Sequence, residues 1–341
     1  MKVIRFLLFP FAVLYDFVTR IRNLFFDKGI LKQTSFKIPV IVIGNLSVGG
    51  TGKTPQTEYL IRLLKDTYKT AVLSRGYGRK TKGYIHLSNK HSANEVGDEP
   101  LQYYKKFRNI NVAVDENRVE GIQYLLAQNK PELVLLDDAY QHRKVKGSFY
   151  ILLTKYSDLF TDDYLLPTGS LRESSKGAKR ANVILVTKCP ENLLEKEQKV
   201  IKQKFSKFNK SVFFTSITYA DTIKGFYNFN LETLKEYSVL LITGIANSKP
   251  LTSFLKQHQI TIQHLKYRDH HNFTDIEIVD IITKFREDTA SKKLILTTEK
   301  DYVRLSSSIE ELSYLPIKTS FLQNQHKEFD HLIYKHVKEF N

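Results

Sequence analysis

Residues 38–54, IPVIVIGNLSVGGTGKT, constrain the fold of this chain more than any other stretch. The run Val40-Ile41-Val42-Ile43 is continuously apolar and β-branched, the pattern of a strand buried on both faces in a parallel sheet. A glycine-rich turn ends in Gly52-Lys53-Thr54, and residues 55–64 then carry helical apolar spacing. Strand, glycine loop, Gly-Lys-Thr and helix form the context that a Walker A loop requires. Glycines there let successive backbone N–H groups turn into one cavity, where they and the helix N-terminus meet phosphate oxygens. The expected nucleotide-phosphate residues are Ser47, Val48, Gly49, Gly50, Thr51, Gly52, Lys53 and Thr54. Lys53 should reach the β- and γ-phosphates, and the Thr54 hydroxyl should ligate Mg²⁺. The strict pattern has glycine where this chain has Ser47, but positions 49–54 keep what the chemistry needs.

A second buried strand, Leu133–Leu136, ends in Asp137-Asp138. Such a pair is weak evidence alone, because Asp also begins turns and caps helices. About 85 residues downstream of a phosphate loop, it reads as the acid that holds a Mg²⁺ shell beside one that orients or deprotonates the attacking group. Gly97-Asp98-Glu99-Pro100 admits two readings: a helix start with acids in the first turn, or one carboxylate for metal and one for a substrate hydroxyl. Between these lies Ser74-Arg75-Gly76-Tyr77-Gly78-Arg79-Lys80, after an apolar run. A glycine-spaced Arg/Tyr loop off a strand end suits an anionic substrate, with Arg75, Tyr77 and Arg79 as its contacts.

The surrounding chain divides into four stretches. Residues 1–37 form a basic, aromatic-rich lead-in with seven Lys/Arg against two Asp. Its longest uncharged run, residues 6–15, is ten residues, too short to span a bilayer. No small-residue cleavage site follows it, so the reading is an interfacial helix, with packing on the protein's own core as the alternative. A nucleotide-binding core runs over 38–215, a β-ribbon over 216–237, and a smaller α/β unit with a return segment over 238–341. That last unit has no phosphate loop of its own and is expected to close over the first. Within it, Asp269-His270-His271-Asn272-Phe273 precedes an N-cap at Thr274. Adjacent histidines are poorly spaced for one metal, whereas a histidine paired to a carboxylate can tune or relay a proton. A single cysteine, Cys189, excludes an intramolecular disulfide framework.

In order along the chain stand GNLSVGGTGKTP, SRGYGR, VGDEP, DDAYQH, LPTGSLRE, TGIAN, DHHNF and TEKD. Taken together these strings resemble the tetraacyldisaccharide 4′-kinases, the lipid A 4′-kinases. That family carries the same interrupted Walker A loop and typically has glycine where Ala139 stands. The resemblance implies two RecA-like P-loop-type α/β domains joined by a β-ribbon, with an N-terminal membrane-associated helix. It implies transfer of the ATP γ-phosphoryl group to the 4′-hydroxyl of a tetraacylated disaccharide 1-phosphate glycolipid. The place of action would be the cytoplasmic face of the inner membrane, with the protein peripheral, monotopic and a monomer.

By the same resemblance Asp98 is the base for the sugar hydroxyl, paired with His270; the choice of His270 over His271 rests on the family's Asp-His core. Thr54, Glu99 and Asp138 become Mg²⁺-shell residues, supported by Asp137. Arg118 and Arg172 become phosphate or transition-state contacts. The rival readings are a membrane-associated P-loop ATPase switch without a lipid acceptor, and a nucleic-acid-stimulated ATPase. The switch proteins begin the glycine loop with Lys where this chain has Val48. The second rests only on the +16 net charge, with 52 Lys+Arg against 36 Asp+Glu. That excess concentrates in residues 1–37, in the acid-free stretch 75–94 and around Arg172, Lys176, Lys179 and Arg180. An anionic bilayer and a phosphorylated glycolipid suit that distribution, and nucleic acid is left without a site.

Overall fold

The computed structural model describes residues 7–269 and 271–340. His270 and the first six residues of the predicted N-terminal helix therefore lie outside the described residues. Two sheets organise the chain. The larger orders its nine strands β15-β8-β7-β6-β1-β5-β2-β4-β3. These are β1 Val40–Asn45, β2 Thr70–Ser74, β3 Ile85–His86, β4 Asn111–Val114, β5 Leu133–Leu136, β6 Phe149–Lys155, β7 Val183–Thr187, β8 Ser211–Tyr219 and β15 Ile317–Phe321. Strands β4 to β8 along that order pair in parallel, and only the edge strands β3 and β15 run antiparallel. Every residue of β1 is buried, as its unbroken apolar run requires when helices cover both faces.

The position of β1 decides where the site lies. It sits between β5 and β6, and the chain winds to β5 and β2 on one side and to β6 and β7 on the other. In an open α/β sheet such a switch point leaves a crevice at the carboxyl ends of the strands. The glycine loop opens there, followed by α2 Lys53–Leu64. Further helices around this sheet are α3 Asp98–Lys106, α4 Arg118–Asn129 and α5 Glu195–Phe205.

The smaller sheet has the order β10-β9-β14-β13-β11-β12, with β9 Thr222–Gly225, β10 Phe229–Asn230, β11 Ser238–Thr243, β12 Ile262–Lys266, β13 Lys293–Thr298 and β14 Leu312–Leu315. Its helices are α6 Lys249–Gln257, α7 Asp275–Glu287 and α8 Glu299–Leu305. The chain passes between the sheets twice, from β8 to β9 and back from β14 to β15. The two passes pair antiparallel in both sheets and are linked at the crossing by Ala220 N–H donating to Pro316 O at 2.8 Å. Helix α9 His326–Phe340 then returns to the larger sheet, burying Phe329, Ile333 and Val337 in the core that also holds Ile41 and Ile43 of β1, with the Phe329 ring against Phe213 and Phe321.

Helix α1 Phe9–Asp27 has two unlike sides. Polar side chains tie one side to the larger domain: Tyr15 donates to Arg172 O at 2.9 Å, and Arg22 to Gln141 O at 3.0 Å. Asn23 donates to Glu173 Oε2 at 3.0 Å, and Asp27 pairs with Arg143 at 2.6 Å. The other side leaves Phe11, Leu14, Phe17 and Val18 exposed, and Ala12 and Phe26 are the helix's buried residues. Among the described residues no helix is long and apolar enough to cross a membrane.

Candidate functional site

The glycine loop turns because its glycines take left-handed backbone. Gly52 has φ +82° and caps α2, a conformation that a side chain would strain. Its floor is a neighbouring strand end: Thr187 Oγ1 donates to Thr51 O at 2.7 Å, and Lys188 Nζ lies under Gly50. The loop's opposite flank pairs with LPTGSLRE. Val48 N–H donates to Ser170 O at 2.8 Å and Arg172 N–H to Leu46 O at 2.7 Å, with Ser47 and Leu171 forming an isolated bridge. This pairing brings Arg172 to the phosphate loop across more than a hundred residues of sequence.

Lys53, Asp138 and Arg172 converge on one point. Lys53 Nζ lies 3.4 Å from Asp138 Oδ1 and 3.3 Å from Asn45 Oδ1. Arg172 Nη2 lies 3.2 Å from Asp138 Oδ1 and 2.6 Å from Asn45 Oδ1. Asn45, the last residue of β1, is thus the hinge of the cluster. Burial works against the charged form of Asp138, but Lys53 and Arg172 outweigh it and hold the carboxyl below its ordinary range. Asp138 also has φ +46°, so the turn after β5 passes through left-handed backbone immediately before Ala139.

Asp137 lives in a different environment. It is 4% exposed and accepts hydrogen bonds from Thr57 Oγ1 and the Tyr103 hydroxyl, each at 3.2 Å. Burial, then the like charge of Asp138, pushes it up to about 6 against the pull of Lys53. Glu99 adds further negative potential at both Asp137 and Tyr103. Among the described residues no three His, Cys, Asp or Glu side chains gather into a preformed metal cage. A hydroxyl at Thr54 with the acids of 137–138 and Glu99 is nonetheless a donor set that fits Mg²⁺, which keeps several waters and takes only one or two carboxylates beside phosphate.

The SRGYG and VGDEP strings pack on each other. Gly97, with φ +90°, lies against Gly76: a Cβ on Gly97 would press on the Gly76 backbone, and one on Gly76 would press on the Val96 carbonyl and the Arg79 side chain. Asp98 starts α3 and is 8% exposed. Its carboxylate is forked by Arg304 of α8, through Nε to Oδ1 at 2.8 Å and through Nη2 to Oδ2. Arg304 Nη1 also donates to His271 O at 3.0 Å. His271 itself pairs with Glu277 at 2.9 Å, the acid of the α7 capping box, and stacks on Tyr267. The carboxylate beside His271 is therefore a helix cap.

The basic side chains separate into two kinds. Arg79 is a loop strut, donating to Gly83 O at 2.8 Å and pairing with Glu116, its side chain 4% exposed. Tyr77 is 73% exposed, and Arg75 is also exposed. Arg118 is 3% exposed and donates to Asp115 O, while among the described residues its Nε and Nη2 have no hydrogen-bond partner. Burial lowers it to about 10 against the pull of Asp137, with Arg75 adding to the lowering. His142 is pushed down to about 4 by burial and then by Arg118 and Arg75, so it is neutral at physiological pH. A buried guanidinium with orphaned donors beside an exposed arginine is a place for an anion.

Sequence reasoning did not single out Asn45, Lys188, His142 or Arg304. Lys188 had a local signal, a Thr-Lys pair at a strand end. The roles of Asn45 and Arg304 emerge only from strand order and domain contact.

Comparisons with known proteins agree with this geometry. The family model for tetraacyldisaccharide-1-P 4′-kinase matches residues 4–338. A tetraacyldisaccharide 4′-kinase from Flavobacterium johnsoniae is 52% identical, with 99% of each chain covered. Another from Bacteroides thetaiotaomicron is 43% identical over 97% of this chain and 93% of the relative. Among solved structures, LpxK from Aquifex aeolicus in complex with ATP is similar with a TM-score of 0.79 and 31% identity, covering 98% of this chain and 99% of that one.

Proposed function

The chain belongs to the tetraacyldisaccharide-1-P 4′-kinase family, and from that premise we propose how its residues phosphorylate the 4′-hydroxyl of a tetraacylated disaccharide 1-phosphate with ATP. The observation that carries the reading is the convergence of Lys53, Asp138 and Arg172 on Asn45 at the switch point of a parallel sheet. The backbone N–H groups of Gly49, Gly50, Gly52, Lys53 and Thr54 cradle the β- and γ-phosphates, while those of Val48 and Thr51 donate to Ser170 O and Gly49 O and shape the loop. Lys53 and Arg172 face the charge that spreads over the transferring group in a loose transition state, where positioning and neutralisation do most of the catalysis. Thr54 and Asp138, with Glu99 and Asp137 nearby, would hold Mg²⁺, which would further neutralise the phosphate oxygens.

The 4′-oxygen forms its bond to the γ-phosphorus as the bond to the bridging oxygen breaks and ADP leaves. The hydroxyl proton passes to the Asp98 carboxylate, with His270 as its partner in that transfer. Arg75, Tyr77 and Arg118 hold the acceptor's anionic and sugar groups, and Arg79 keeps their loop in shape. The exposed apolar side of α1 lies in the bilayer interface while its polar side stays on the protein, so the enzyme works as a peripheral monomer at the cytoplasmic face of the inner membrane.

Incubation with ATP, Mg²⁺ and the disaccharide 1-phosphate lipid in detergent micelles tests the reading. A bis-phosphorylated lipid formed with one ADP per product is the expected result. ATP hydrolysed at the same rate with and without lipid, and no new lipid, would favour an ATPase switch and sink the proposal.

A further inference from the structure

Helices α3 and α8 form a clasp between the domains. Asp98 in the first turn of α3 meets Arg304 in the last turn of α8, and Lys106 at the end of α3 meets Glu299 at the start of α8 at 2.5 Å. The two helices therefore lie antiparallel with an ion pair at each end. Each charge also sits at the helix terminus that favours its sign. The ends are not equivalent. Lys106 continues to Glu58 on α2 at 2.6 Å, whereas Arg304 grips the residue read as the base.

We propose that Arg304 is a positioning residue for phosphoryl transfer, fixing both halves of the acceptor end with one guanidinium. Its Nε and Nη2 set the plane of the Asp98 carboxylate, and its Nη1 fixes the backbone at His271, next to His270. A planar fork with rigid donors can impose that relation, and a single ammonium cannot. The Asp98 and Arg304 side chains are 10% and 11% exposed, so the pairing is shielded from solvent. The smaller domain, which brings no phosphate loop, thereby completes the acceptor site. This rests on the reading of Asp98 as the base.

The test compares R304Q, R304K, D98N, the double variant D98N/R304Q and E299Q, each assayed for kcat and for KM of ATP and of the lipid acceptor. Positioning predicts that R304Q loses about 10²-fold in kcat, the scale of a small misplacement of a reacting group. KM for ATP stays within about twofold, and R304K loses less than R304Q. It also predicts no further loss when R304Q is added to D98N, because the two act through one interaction. E299Q, which loosens the other end of the clasp, changes kcat less than about threefold if docking alone is not what matters. Should R304Q fail to fold, R304K and D98N/R304K carry the same comparison. An R304Q effect of equal size in the D98N background, an E299Q loss as large as that of R304Q, or unchanged kcat in R304Q overturns the proposal. A D98N enzyme with wild-type kcat instead overturns the reading of Asp98 on which the proposal rests.

Discussion

The two ends of the reaction are built in opposite ways. The proposed nucleotide end draws Lys53, Asp138, Arg172 and Asn45 from the larger domain, all at the carboxyl ends of its strands or on loops paired to them. The proposed acceptor end joins Asp98 of the larger domain to Arg304 of the smaller one and, through Arg304, to the His271 backbone. A sheet fixes its strand ends to within a hydrogen-bond register, so the first cluster is preorganised whenever the larger domain is folded. The second exists only while two domains are docked. Such a division lets ATP bind to a finished site and reserves completion of the acceptor site for domain contact.

The largest expected effect breaks the preorganised end. K53A removes the ammonium that faces Asp138 and, in the proposed mechanism, the transferring phosphoryl group, and kcat should fall about 10³-fold. ATP affinity should fall with it, measured by equilibrium nucleotide binding, because Lys53 contacts ground-state phosphates too. D98A strikes the assembled end instead. It should lower kcat by about 10² to 10⁴-fold while ATP affinity shifts little. Equal losses of kcat and ATP affinity in D98A would make Asp98 a nucleotide or metal ligand and erase the distinction between the two ends.

A milder effect concerns how the acceptor reaches its site. Leu14 and Phe17 are 62% and 61% exposed on the unanchored side of α1. L14E/F17E should reduce sedimentation with anionic phospholipid vesicles by about tenfold or more, since charge replaces the buried apolar area that holds an interfacial helix. Turnover of micelle-dispersed lipid at saturation should stay near wild type. If vesicle binding persists, the anchoring lies in the basic residues of α1 and not in its apolar side.

What the sequence made legible divides along the same line. Buried strands with an unbroken apolar run, a glycine loop ending in Gly-Lys-Thr and a strand ending in Asp-Asp are local patterns, and β1, α2 and β5 formed where those patterns stand. The N-cap read at Thr274 does start a helix, α7 Asp275–Glu287, through a capping box with Glu277. Asn45 gave no signal, since its role depends on the 165–173 loop folding back beside β1. Arg79 looked like a substrate contact because a sequence shows its charge and not Glu116, the partner that uses it. Arg304 was hidden for the strongest reason: its partner lies 206 residues away in the other domain.

The smallest effect separates docking from chemistry at the clasp itself. Glu299 is 6% exposed and shares Lys106 with Glu58, which is buried too and also pairs with Arg62 at 3.3 Å. Burial, then the charge of Glu58, pushes Glu299 up to about 7 against the pull of Lys106. A carboxyl raised above its unfolded value binds an extra proton in the folded state. Its stabilising contribution is full below about pH 4.5 and is lost as pH rises through about 7, on the order of 1–3 kcal/mol. E299Q cannot ionise and should not pay that penalty. Thermal unfolding between pH 5 and pH 8 should therefore show the wild type losing a few degrees that E299Q keeps. Because Glu299 touches neither Asp98 nor the phosphate loop, kcat at a fixed pH should barely change. A parallel loss of Tm and kcat through this range in the wild type alone would mean that the clasp acts as one unit, with docking and positioning inseparable.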